Sequence, residues 1–239
     1  MPALRRWLLA LGTVASIAAT LALGFWQWNR AQQKLALHAA IEQRQRLPAV
    51  GAIDLLAEGA ASALQHRPVV LRGQWLPEHS VYLDNRQMNG KPGFYVVTPL
   101  RLESSSATVL VQRGWVQRNF QQREQLPAVQ TPPGTIELRG RVAPPPAKLY
   151  AFDAGERGRI RQNLDLPAFR AETGLPLLAL SVQQTGAPSE GLRREWPEAA
   201  SGADKNYGYA FQWWALSGLL AILYVWFRII APRRAARRA

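Results

Sequence analysis

The sequence predicts a membrane protein in which two transmembrane α-helices flank an α+β, β-rich extracytoplasmic domain. Two uncharged runs, and a change of pattern between them, predict it. Leu8 to Trp28 is 21 residues long and Tyr209 to Phe227 is 19. At ~1.5 Å per residue each comes close to the ~30 Å of a bilayer's hydrocarbon core. From about Val69 the chain breaks into short runs of β-branched, aromatic and aliphatic residues punctuated by Gly and Pro. The expected boundaries are a cytoplasmic N-terminus at 1–7, a span at 8–28, an outer-facing domain with a helical stalk at 29–208, a second span at 209–230 and a basic cytoplasmic tail at 231–239.

The spans are anchored by rings at one end and arginines at the other. Phe25, Trp26 and Trp28 close the first run, and Tyr209, Phe211, Trp213 and Trp214 open the second, as amphipathic rings do at headgroup level. Ile229 and Ile230 extend the second run past Arg228, whose guanidinium can snorkel. Arg5 and Arg6 precede the first span, and Arg233, Arg234, Arg237 and Arg238 follow the second, so both termini are expected in the cytoplasm. A cleavable signal peptide is disfavoured because the first apolar run is long and continues into FWQWNR without a small-residue cleavage site. Small residues four apart, Gly12 and Ser16, Ala15 and Ala19, Ala18 and Ala22, Ser217 and Ala221, permit close approach of the two helices, and the ordinary alanine-rich composition of a membrane helix accounts for them equally well.

The net charge of +13 is uneven. Seven arginines lie in the tails without an acid, whereas all 16 acids sit between Asn29 and Lys205 among the other 22 bases. Basic clusters that abut apolar runs suit a phospholipid surface and argue against nucleic acid. With no cysteine and three histidines, the usual zinc, iron-sulfur and CxxC sites lack a ligand set.

Between the spans, six strands are expected: Val69–Trp75, Val81–Asn85, Phe94–Leu100, Thr108–Val116, Thr135–Val142 and Leu177–Val182. In the fifth, Ile136, Leu138 and Val142 alternate with Glu137, Arg139 and Arg141. This predicts one wet face and a place near a sheet edge. Asn89-Gly90 predicts a hairpin turn within the connection RQMNGKPG. Asp165, Pro167, Phe169 and Gly174 read as cap, first-turn proline, apolar face and C-terminal glycine of a short helix. Pro144 to Pro146 predict a stiff connector, and residues 30–47 a helical continuation of the first span.

No GxSxG, HExxH, P-loop or GxGxxG pattern occurs, which makes an enzyme a poor reading. His38, His66 and His79 read as surface histidines. Asp84-Asn85-Arg86 and Arg113-Gly114-Trp115 read as buried ion pairing with a packed Trp rather than acid-base chemistry. Trp26, Arg30 and Lys34 form one stripe of the helix leaving the membrane, on which a guanidinium can lie over an indole. Asn206, Tyr209, Ala210 and Trp213 share a face at the mouth of the second span.

Five segments in order carry a resemblance: GFWQWNRAQQK (Gly24–Lys34), DNR with GKPGFYVVTPL (Asp84–Leu100), VLVQRGWV (Val109–Val116), REWP (Arg194–Pro197) and DKNYGYAFQWW (Asp204–Trp214). Together they resemble the Surfeit locus protein 1 family of cytochrome c oxidase assembly factors. The motif positions are Trp26, Gln27, Arg30, Asp84, Arg86, Gly93, Pro99, Arg113, Gly114, Trp115 and Gln212. The resemblance implies a non-enzymatic factor of the bacterial cell inner membrane with its central domain in the periplasm. Its implied partners are the oxidase catalytic subunit and other assembly factors, and its implied cofactor is haem a.

One position departs from the family. Three residues before Tyr209, where bacterial relatives commonly carry a histidine regarded as a haem ligand, stands Asn206; an amide is a poor ligand for haem iron. Three roles stay open: scaffolding the nascent subunit, packing haem against Tyr209, Phe211 and Trp213, or using a partner's ligand. Two rivals of other classes are a two-span regulator of envelope polysaccharide export, whose domain would be dominated by long helices, and a periplasmic hydrolase built on Asp84 or Arg113.

Overall fold

The computed structural model describes residues 2–103, 105–119, 121–122, 125–146, 149, 158–197 and 201–237; Arg238 of the basic tail lies outside them. In chain order the elements are α1 (Pro2–Gln45), α2 (Ala52–Leu55), α3 (Ala60–Ala63), β1 (Pro68–Trp75), β2 (Val81–Met88), β3 (Lys91–Leu102) and β4 (Thr108–Gln117). They continue with β5 (Thr135–Ala143), β6 (Ile160–Arg161), α4 (Leu166–Thr173), β7 (Leu177–Gln184), α5 (Ala203–Val225), a π-helical turn (Trp226–Ile230) and α6 (Ala231–Ala236). Contacts divide the chain into two compact units, Met1–Ala40 with Ala199–Ala239, and Ile41–Glu198. The stalk as far as Ala40 thus groups with the helices.

Two helices are long and apolar enough to cross a membrane, Ala3–Gln45 and Ala203–Arg234. Only 11% and 6% of their apolar windows are buried within the chain, unlike the core helix of a soluble protein. Inside the helix unit, α1 turns Ala10, Thr13, Ile17, Thr20, Gly24, Gln27, Ala31 and Lys34 inward, in alternating steps of three and four. That is the spacing of a left-handed helix seam. On α5 the matching positions are Ala203, Asn206, Tyr207, Ala210, Trp213, Trp214 and Ser217.

The small-residue stripes expected on α1 are corrected here. Gly12, Ala15, Ser16, Ala18, Ala19 and Ala22 are exposed, and of the expected pairs only Ser217 and Ala221 face the seam. Steps of four alone drift around a 3.6-residue helix, whereas alternating threes and fours stay on one side. The hydroxyls of Thr13, Ser16 and Thr20 donate to carbonyls of their own helix at 2.8–2.9 Å, so none is left unsatisfied in an apolar setting.

The central unit is a sheet of seven strands in the order β1-β5-β7-β4-β3-β2-β6. The far end of β3 also pairs with β1, Gly73 opposite Leu102 and Trp75 opposite Leu100. Five strands therefore close on one another, and β2 with the two-residue β6 continues from the near half of β3. Closure overturns the edge position expected for β5, which has β1 on one side and β7 on the other. Its alternation is that of a barrel wall: Leu138 and Val142 point inward among Leu71, Val109, Val111, Leu180 and Val182, while Glu137 and Arg139 stay exposed.

Local signals were honoured. Asn89 (φ 50°) and Gly90 (φ 74°) make a two-residue turn between Met88 and its partner Lys91, tighter than the longer connection suggested. Asp165 accepts the Ala168 amide at 3.1 Å and Gly174 (φ 68°) ends α4. Leu166 and Phe169 of α4 cover Val81, Leu83, Val97 and Leu110.

His66 sits in a left-handed conformation (φ 71°) with its amide on the Val142 carbonyl at 2.8 Å. Burial, then Arg141 and Arg44, hold its imidazole below the ordinary value of 6.5. The unfolded chain therefore takes the proton more readily. The stability this group contributes is fully present above pH 6.5 and is lost as pH falls through the lowered value. His66→Asn, which tolerates the same backbone, is expected to flatten the acid side of the stability curve in denaturant titrations between pH 5 and 7. An unchanged slope would remove His66 from the account.

Candidate functional site on the helix pair

The motif residues at the two helix ends converge on Asn206. Its side-chain amide donates to Gln27 Oε1 at 2.6 Å, and its Oδ1 accepts from the Lys34 ammonium at 2.7 Å. One residue on, the Tyr207 hydroxyl accepts from Gln32 at 3.0 Å. Immediately toward the apolar stretch lies an aromatic block: Trp28 against Tyr207 at 5.0 Å and against Trp214 at 5.9 Å, and Phe25 edge-on to Trp214 at 5.4 Å. Gly24 makes this approach possible, because a methyl there would land on the Trp214 indole. One turn further, Ser217 donates to the Ile17 carbonyl at 3.4 Å. Polar contacts thus occupy the mouth of the seam and rings its middle.

The arrangement suits a clasp better than an iron site. Asn206 has both ends of its amide engaged, and the ring of Trp214 fills the space over Gly24. The residues do not fit an axial ligand here.

The other expected positions divide. Trp26 is 59% exposed, and Arg30 donates to Gln33 at 3.4 Å. Tyr209 is 53% exposed, Gln212 is exposed and Trp213 is half-buried. Tyr207 and Trp214, which the stripe reading passed over, are the rings that meet α1. The seven-residue spacing of inward positions was the signal that could have found them.

In the central unit the motif residues hold the barrel together through two bulges. Asp84-Asn85 is an extra residue in β2 opposite Phe94, with Asn85 left-handed (φ 60°), and it turns Arg86 inward. The Arg86 guanidinium donates to the Gln162 carbonyl at 3.0 Å and lies 5.8 Å from the Tyr95 ring, while its own carbonyl accepts the Trp115 indole at 2.9 Å. Burial lowers the Arg86 pKa, with Tyr95 acting the other way. Asp84 pairs with Arg118 at 3.4 Å.

Arg113 is the extra residue of the second bulge, between Gln112 and Gly114 of β4. Its side chain is 1% exposed and donates to Glu190 at 2.8 Å, Thr131 at 2.8 Å and the Gln130 carbonyl at 2.7 Å, with Trp75 4.6 Å away across its face. Arg194 shares Glu190 and donates to the Arg113 carbonyl at 3.0 Å; burial is the main cause that lowers its pKa. Gly114 lets the strand at Leu192–Arg193 lie against β4, where a Cβ would meet Leu192 and the Arg193 carbonyl. Gly93 lies beneath Trp115, and Pro99 is buried in β3 with its carbonyl taking the Leu76 amide at 3.0 Å. The buried ion pairing expected around Asp84 and Arg113 is present, but in two separate pairs. Glu190, which no local pattern announced, completes the second.

The family model described as the SURF1 family matches residues 14–218, from within α1 to α5. The chain belongs to the SURF1 family. A SURF1-like protein of Rickettsia felis is 26% identical over 216 residues, covering 87% of this chain and 91% of the relative. Surfeit locus protein 1 of Rattus norvegicus is 26% identical over 239 residues, covering 90% and 74%. The cytochrome oxidase assembly protein SHY1 of Saccharomyces cerevisiae is 28% identical over 94 residues, 39% of this chain and 24% of the relative. For this SURF1 chain the match takes in the Asn206 clasp, both bulges and the Arg113 cluster.

Proposed function

We propose that this chain is a non-enzymatic assembly factor for a haem-copper cytochrome c oxidase. In this reading it is held in a bacterial inner membrane by α1 and α5, with both ends in the cytoplasm and the central unit in the periplasm. Its client is the catalytic subunit, and the step it assists is haem a insertion or the maturation that accompanies it. The observation that carries the reading is the family match over 14–218, which takes in most of both long helices as well as the barrel. The name of the yeast relative, a cytochrome oxidase assembly protein, supports the choice of client.

Because Asn206 is spent on Gln27 and Lys34, the chain works as a docking scaffold and any iron ligand comes from the client. Deleting the gene is expected to leave the oxidase subunits made while haem a absorbance and cytochrome c oxidation fall, and the intact gene is expected to restore both. Normal spectra in the deletion strain would end the proposal. Wild-type chain purified from cells making haem a is expected to lack a haem absorbance band, and Asn206→His to gain one. A band of equal strength in both would overturn the scaffold reading while leaving the assembly role standing.

A further inference from the structure

One end of the helix unit carries six exposed arginines: Arg5 and Arg6 on α1, Arg228 in the π-helical turn, and Arg233, Arg234 and Arg237 beyond it. Among the described residues none of them meets a carboxylate, and in the whole chain no acid precedes Glu42 or follows Asp204. The two groups belong to one surface because α1 and α5 run antiparallel. The Ile17 carbonyl meets Ser217, and an equal rise of ~1.5 Å per residue along each helix brings Arg5 and Arg6 level with Arg228.

Rings set the depth of this surface. Trp7, Trp226 and Phe227 are exposed at the same end, and Arg234 folds back over the Trp226 ring at 5.0 Å. Trp7 lies about 28 Å along α1 from Trp26, and Trp226 about 28 Å along the other helix from Tyr207, close to the ~30 Å of a hydrocarbon core. With one ring belt at the clasp, the second belt falls at the opposite headgroup layer, and the guanidiniums stand beside it.

We propose that this end of the helix pair is a binding surface for anionic phospholipid headgroups, whose phosphates sit between arginines contributed by both helices. A guanidinium offers a phosphate two parallel N–H donors. Uncompensated arginines at headgroup depth attract acidic lipid in proportion to their number. The surface needs both chain segments, so it is more than a basic tail.

Native mass spectrometry of the full chain, in detergent with equal amounts of phosphatidylcholine, phosphatidylglycerol and cardiolipin, tests this. Acidic lipids are expected to be retained over phosphatidylcholine by about five-fold or more. Arg5→Gln/Arg6→Gln and Arg233→Gln/Arg234→Gln are each expected to weaken that preference, and the four changes together to weaken it further, in proportion to the charge removed. Removing the exposed Arg101 and Arg139 of the central unit, again to Gln, should leave it unchanged. The six arginines are exposed, so the variants are expected to keep their fold, checked by circular dichroism. Equal retention of all three lipids by the parent chain, a preference undiminished by the fourfold change, or displacement of phosphatidylglycerol by inorganic phosphate at the same concentration would each overturn the proposal.

Discussion

Arg113→Ala is expected to remove about 3–5 kcal/mol from the stability of the central unit, the cost of emptying a buried site and leaving its acceptors without their donor. Among the described residues Glu190, its side chain 17% exposed, would keep only Arg194 as a cationic partner, at 3.4 Å. Thr131 and the Gln130 carbonyl would lose their donor, and the space beneath Trp75 would empty. Domains of this kind are stable by roughly 5–15 kcal/mol, so about a fifth or more of the margin would go. Urea titration of the full chain by tryptophan fluorescence measures it. Arg113→Met keeps most of the volume beneath Trp75 and leaves Glu190 paired with Arg194, and is expected to recover a large part of the loss. A midpoint unmoved by Arg113→Ala would show that the cluster does not hold the bulge.

Gly24→Leu is expected to part the helix pair. The Cβ alone would fall on the Trp214 indole, and two packed helices relieve such overlap by separating or turning. Overpacking of this kind costs about 1–3 kcal/mol, a roughly 5- to 150-fold shift against the closed pair. Separation also pulls Asn206 from Gln27 and Lys34, since those contacts lie about one to three turns away on the same seam. The chain has no cysteine, so a pair placed at Ile17 and Ser217 reports closure without background. Cross-linking is expected to be efficient in the parent and to fall steeply in the Gly24→Leu background, with oxidase activity falling alongside. Unchanged cross-linking would mean that Trp214 turns aside at little cost.

Much of this architecture was legible because it rests on short-range causes. Asn89-Gly90 demands positive φ at two adjacent residues, and Asp165 caps an amide three residues away. The uncharged runs were read from length alone. What went unread needed a partner from elsewhere. The wet face of β5 is equally compatible with a sheet edge and a barrel wall, and the pairing of Trp75 with Leu100 decides between them. Asn206 was singled out, but its two partners lie 172 and 179 residues away.

Alternation, caps and uncharged length determined the strands, the turn, the short helix and the two long ones, since each depends on residues within a few positions of one another. Closure of the barrel, the meeting of Arg113 with Glu190 across 77 residues, and the choice of Trp214 over Trp213 against Gly24 were decided by the tertiary structure. The reason is steric and electrostatic: several distant segments satisfy the same local pattern, and only packing at ångström range selects the one whose shape and charge fit.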